Sequence, residues 1–179
     1  AVVALLFLGL ALAALIPKVW IVTPEGFVPE VKVRGLDFIQ EASLRRSALQ
    51  AEKAVDFKDA MLSWRGAVEN NPGNPENIRA ALTNVTRINP PPKQWLGWSY
   101  YYGEWLLRLG HTNQSDVVLF ARVLSHFELD ESVVSLLSPV VETLRGDQLG
   151  AYLKSLFDLG MLERFNDVWT RHERALCVY

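Results

Sequence analysis

One cysteine, Cys177, occurs in 179 residues. A lone thiol excludes an internal disulfide framework and a cysteine-rich zinc or iron–sulfur site. Histidine is scarce as well. His111, His126 and His172 stand far apart, without the His-x-x-x-His spacing that would hold a metal. Charge of one sign is also missing: 18 lysines and arginines oppose 20 aspartates and glutamates, for a net charge of -2. Nucleic-acid binding needs a basic footprint, so nucleic acid is not an expected partner. No glycine-rich phosphate loop and no Gly-x-Ser-x-Gly elbow occurs. Asp130-Glu131 reads as a helix start rather than an acid–base pair. The expectation is a protein that is not an enzyme and has no cofactor or metal of its own.

What the chain does have is apolar bulk. Half of it is hydrophobic and 21% is charged, which excludes a disordered tail. The charge is unevenly placed, and the first ionised side chain is Lys18. Ala1 to Ile16 holds only aliphatic residues, Phe7 and Gly9. A membrane-spanning helix takes about 20 residues. Val19-Trp20-Ile21-Val22 supplies the remainder if Lys18 snorkels to the interface, and Trp20 lies where an interfacial aromatic belongs. Residues 1–22 are therefore expected to form a transmembrane helix. Leu5, Leu6, Phe7, Leu8, Leu10, Leu12, Leu15, Ile16 and Trp20 are its anchor residues, and the lipid bilayer is its partner. Two competing readings are a retained signal-like segment, given Ala11-Leu12-Ala13, and a buried core helix. Lys18, Lys32 and Arg34 flank the segment. The side of the membrane stays open, with an extracytoplasmic placement slightly favoured.

Pro17, Pro24, Gly26, Pro29 and Gly35 punctuate the next stretch. Proline stops helices and biases its predecessor to extended backbone. Residues 23–35 read as a linker, with an extended piece at Val31-Lys32-Val33-Arg34. Residues 36–179 read as one helical domain. Its expected helices cover 36–54, 57–71, 75–88, 93–109, 114–127, 131–145, 147–158 and 161–175. Asn70-Asn71-Pro72-Gly73-Asn74-Pro75 is a stop, a turn and a restart. Three consecutive prolines, Pro90 to Pro92, end another helix, and Gly110 and Gly146 suit left-handed caps. Pro139 kinks or splits the 131–145 helix. No alternating run is long enough for a sheet. The fold class is all-α: an N-terminal membrane helix, then an antiparallel helical-hairpin solenoid.

Residues 41–74 resemble one tetratricopeptide repeat, a 34-residue helix-turn-helix unit. The matching positions are Leu44 and Ala48, then Phe57, Ala60, Trp64 and Ala67, then Pro72. Small Ala60 and Ala67 let two helices approach, Trp64 fills the space beside them, and Pro72 ends the unit. Ser47 and Ala51 depart from the pattern, where large residues are usual. Ile78 and Leu82 begin a second unit that breaks at Pro90. Gly103, Leu106 and Gly110 resemble a degenerate unit, as does 160–169 with Phe165 at a small-residue position. The resemblance implies a stacked helical structure that holds partners. It assigns no peptide-gripping residue here.

The densest local feature is Trp95-Leu96-Gly97-Trp98-Ser99-Tyr100-Tyr101-Tyr102-Gly103-Glu104-Trp105. At helical spacing Trp95, Trp98, Tyr102, Trp105 and Leu109 share a face, Tyr101 flanks Trp105, and Tyr100 points away. One reading is a wide core stripe. Another is a partner-binding surface at Trp95, Trp98, Tyr101 and Trp105, since tryptophan and tyrosine concentrate binding energy. A third is contact with lipid headgroups or a pigment. Gly97 and Gly103 make sense if a backbone or large ring comes close. His172 falls in a charged run read as a solvated face. Asn84-Val85-Thr86 and Asn113-Gln114-Ser115 match the glycosylation pattern but are discounted, the first because it sits in an expected helix.

The expected function is a membrane-anchored helical-repeat scaffold or accessory subunit that binds other proteins of a membrane complex. Two alternatives keep the helices and change the role. One is the anchor and helical region of a longer envelope or polysaccharide-assembly enzyme. The other is a structural subunit of a bioenergetic or photosynthetic membrane complex.

Overall fold

The computed structural model describes residues 2–15, 17–18, 33–109 and 113–176. Among these residues the chain is all-α, with nine α-helices packed mainly on their neighbours in sequence. Helix α1 is Val2–Leu15, a run without a polar side chain. Strand β1, Pro17–Lys18, follows it and pairs antiparallel with β2, Val33–Arg34. The expected helix over 1–22 is therefore corrected. Proline has no amide hydrogen and its ring clashes with the preceding turn, so the helix closes before Pro17. Fourteen residues give a helix about 21 Å long, against a hydrocarbon core of about 30 Å. No described helix is long and apolar enough to cross a membrane. Ile16 and Trp20, and the linker as far as Lys32, lie outside the described residues.

The array comprises α2 (Gly35–Lys53), α3 (Phe57–Asn70), α4 (Pro75–Val85), α5 (Leu96–Leu109), α6 (Gln114–His126), α7 (Asp130–Leu137), α8 (Gly146–Asp158) and α9 (Leu162–Leu176). Side-chain caps fix three starts. Asp56 accepts from the Asp59 amide at 3.1 Å, Asn74 from Glu76 at 3.1 Å, and Asn113 from Asp116 at 2.9 Å. Each such cap stabilises by about 1 kcal/mol. Pro139 splits its helix as expected: α7 ends at Leu137 and a 3₁₀ segment runs over Ser138–Thr143. Three helices end in a left-handed residue, Val55, Glu128 and Gly160. In each the next amide reaches back to close the last turn, as Asp56 does to the Ala51 carbonyl at 2.9 Å. Only Gly160 of the three is a glycine, and it is not one of the two read as caps from the sequence. Gly146, read as a cap, instead opens α8 at positive φ.

Two apolar cores result. The first joins α2 to α5 around Met61, Trp64, Ile78, Leu82, Trp95 and Trp105. The second joins α6 to α9 around Phe120, Leu124, Leu149, Tyr152, Leu156 and Val168. Polar bolts cross the first. Buried Glu41 accepts from the side-chain amides of Asn71 (2.7 Å), Asn74 (2.8 Å) and Asn77 (2.7 Å). Glu52 accepts from Trp64 Nε1 at 2.8 Å and Asn84 at 2.7 Å. Glu41 and Glu52 lie three turns apart on one face of α2, and Asn77 and Asn84 two turns apart on α4, so the two bolts run in parallel. Asn84 is buried within this network, consistent with discounting it as a glycosylation site. Arg79 on α4 grips the fully buried Asp116 of α6 through Nε at 2.7 Å and Nη2 at 2.8 Å. That bond pushes the Arg79 pKa further up. It ties the two cores together.

Candidate functional site

Helix α5 begins where Pro92 ends the proline run. The Trp95 amide donates to the Pro92 carbonyl at 2.8 Å, and a 3₁₀ turn over Lys93–Trp95 leads into the helix. Its aromatic face points inward. Trp95, Tyr102 and Trp105 are buried in the first core, and Trp105 Nε1 donates to the Pro72 carbonyl at 2.7 Å. Trp98 is half-buried, with its ring 6.2 Å from Trp95 and 5.2 Å from Tyr102, and the Arg65 guanidinium 6.0 Å from its centroid. Burial pushes the Tyr102 hydroxyl up to about 12, with Glu69 adding to the shift and Arg65 opposing it.

Of the four residues read as a binding face, Trp95 and Trp105 are core. The spacing that makes them one face also lets most of that face pack inward. Tyr101 is exposed, its ring 5.6 Å from Trp105, and Trp98 is partly accessible. Tyr100 points to the opposite side, edge-on to Phe120 at 5.6 Å. The glycine expectation divides. A Cβ on Gly103 would lie 2.1 Å from the Phe120 ring, so a large ring does come close. Gly97 has nothing within 4 Å.

The close approach at Gly103 sets α6 hard against α5, and α7 packs on α6 from the other side. A groove of about 360 Å³ lies between α5 and α7. Val117, Phe120 and Leu124 of α6 line it, with Tyr100 and Glu104 on one wall and Ser132, Ser135, Leu136, Pro139 and Val140 on the other. No residue of this groove was singled out from the sequence for binding, and its Tyr100 was read only as pointing away from the aromatic face. Pro139 was the available signal, because the break it causes turns the α7 wall. A neighbouring hollow of about 320 Å³ is lined by Glu128, Leu129, Asp130, Glu131, Ser132 and Leu159, and shares Ser132 with the groove. A third hollow, of about 200 Å³ between α6 and α8, has Arg122 and Asp147 at its rim.

Chemistry elsewhere is sparse. Among the described residues no three His, Cys, Asp or Glu side chains are placed to hold a metal. His172 corrects the solvated-face reading. It is buried one turn beyond Val168, with Nε2 3.5 Å from Glu142. His111 and Cys177 lie outside the described residues. At the far end of the array Phe165 stacks on Trp169 at 6.0 Å, beside the exposed Phe157.

All the described side chains of α1, Val2 to Leu12, are exposed. They include the anchor residues Leu5, Leu6, Phe7, Leu8, Leu10 and Leu12.

The chain matches no family model, no curated protein and no solved structure. The likeness of residues 41–74 to a tetratricopeptide unit rests on its own residues. Of these, Ala48, Ala60, Trp64 and Ala67 are buried where α2 and α3 pack together. Leu44 presses on Gly66, where an added Cβ would meet it at 3.2 Å.

Proposed function

We propose that the protein is a membrane-attached scaffold of tetratricopeptide-like helical hairpins, an accessory subunit that holds another protein beside the bilayer. The observation that supports this reading is α1. Its described side chains are apolar on every side and all exposed. A helix apolar all round belongs in a protein core or in lipid. Full burial of one such leucine, valine or phenylalanine is worth about 1.5–3 kcal/mol, so several together hold a chain at a membrane. At its described length α1 enters the bilayer without crossing it alone. Stacked hairpins supply an extended binding surface. Attachment then raises the effective concentration of that surface for a partner in the same membrane plane.

Flotation tests the reading. The full chain, reconstituted from detergent with phosphatidylcholine liposomes, is expected to float with them. The double variant Leu6→Lys, Leu10→Lys is expected to stay in the dense fraction with unchanged helical circular dichroism. A folded wild-type chain that remains in the dense fraction would overturn the proposal.

A further inference from the structure

We infer that the groove between α5 and α7 receives a partner segment in which a large apolar side chain sits beside a lysine or arginine, the apolar group entering the groove and the cation meeting Glu104. This rests on the scaffold reading and names the chemistry of its partner. Three observations carry it. The groove is lined by Val117, Phe120 and Leu124, with Tyr100 exposed at its edge, so it offers apolar area to a side chain. Its volume, about 360 Å³, falls at the lower end of pockets that take organic groups.

The second observation is Glu104. It is the sole charged residue in the groove lining, it is half-buried, and no ion pair or hydrogen bond holds it among the described residues. Arg108 stands one turn further along α5 and makes no ion pair with it. A carboxylate half out of water gains most from a cation brought to it in charge-assisted hydrogen bonds.

The third is the sign of the surroundings. Through Ser132 the groove continues into the hollow of Glu128, Asp130 and Glu131. Neither lining contains a lysine or arginine. The nearby Lys154 is already held by Asp158 at 2.5 Å. A cleft lined by one sign of charge steers the opposite sign toward it. An acidic segment, or an anionic lipid headgroup, would be repelled. The hydroxyls of Ser132 and Ser135 remain to bond the backbone of a bound segment.

The probe is a pair of fluorescein-labelled octapeptides, each with a central phenylalanine and leucine, flanked by lysines in one and by glutamates in the other. Binding to the full chain in phosphatidylcholine nanodiscs is read by anisotropy. The lysine peptide is expected to bind saturably and the glutamate peptide not at all over the same range. Glu104→Gln is expected to weaken the lysine peptide about tenfold. Ser135→Phe, which fills the groove from an exposed position, is expected to abolish binding while leaving the circular dichroism unchanged. Equal binding of both peptides, no binding of either, or indifference to Glu104→Gln would each overturn the inference. Flotation separates it from the scaffold reading. A chain that floats but ignores the lysine peptide refutes only the inference. A chain that binds the peptide but does not float refutes only the membrane attachment.

Discussion

Helices α2 to α5 pack around tryptophans and are bolted by carboxylates, whereas α6 to α9 pack mainly around aliphatic side chains with Phe120 and Tyr152. In the first region Glu41 and Glu52 gather four asparagines and an indole. In the second the buried and half-buried carboxylates draw fewer partners from other helices: Asp130 accepts from Ser155 at 2.6 Å and Asp116 from Arg79, while the Ser138 and Tyr152 hydroxyls lie 3.2 Å apart. Hydrogen bonds have direction and fix register, while apolar packing fixes only volume. The three hollows described above all involve α6 or the helices that follow it. The directed bonds hold α2 to α4 in register, and the groove proposed to take a partner lies where α5 meets α6 and α7.

The largest test of this contrast removes the centre of the bolted core. Trp64→Ala takes away a buried indole and its bond to Glu52, and should cost about 3–5 kcal/mol in urea denaturation. An unchanged midpoint would sink the α2–α3 unit.

Next in size is the alkaline limit set by Tyr102. Its pKa is raised from 10.0 to about 12 in the folded chain. The folded state holds its proton where the unfolded state has lost it, so stability is complete below pH 10 and falls as pH rises toward 12. The loss should approach about 2–3 kcal/mol. Melting temperatures from pH 9 to 12, compared with Tyr102→Phe, isolate it. Parallel curves would show that burial does not hold this proton.

A smaller pair of substitutions sharpens the comparison itself. Glu41→Gln should destabilise by about 2 kcal/mol, because one carboxamide cannot serve three donors. Ser155→Ala should cost about 1 kcal/mol, the worth of a single hydrogen bond. Equal losses in thermal denaturation would erase the distinction between the regions. The smallest effect has the opposite sign. Val55 is exposed and sits at φ 60. Val55→Gly should therefore stabilise by about 0.5–1 kcal/mol, because a β-branched residue is strained there. A lower melting temperature would contradict the left-handed closure of α2.

Much of the helical layout was legible because its punctuation is chemical. Asp56, Asn74-Pro75, Asn113 and Pro139 each act through their own backbone or side chain within a few residues. The end of α1 was misplaced because the apolar run past Pro17 outweighed the proline, and periodicity does not register that Pro17–Lys18 pairs with Val33–Arg34 at the far end of the linker. The asparagine network escaped for the same reason. Asn71 and Asn77 look like turn and weak helix residues until Glu41, 30 and 36 positions away, is folded against them. The inward aromatic face was readable from spacing, but spacing alone could not divide Tyr101, which stays outside, from Trp95 and Trp105, which do not. The groove was invisible because it belongs to three helices at once.

Native mass spectrometry after mild detergent extraction from the source membrane tests the central claim most directly, that α1 and the groove-bearing array serve one membrane-bound assembly. The account predicts a defined complex heavier than the 20.2 kDa of these residues, in which the chain is accompanied by at least one other protein. A lone chain recovered from the membrane-free fraction would contradict it.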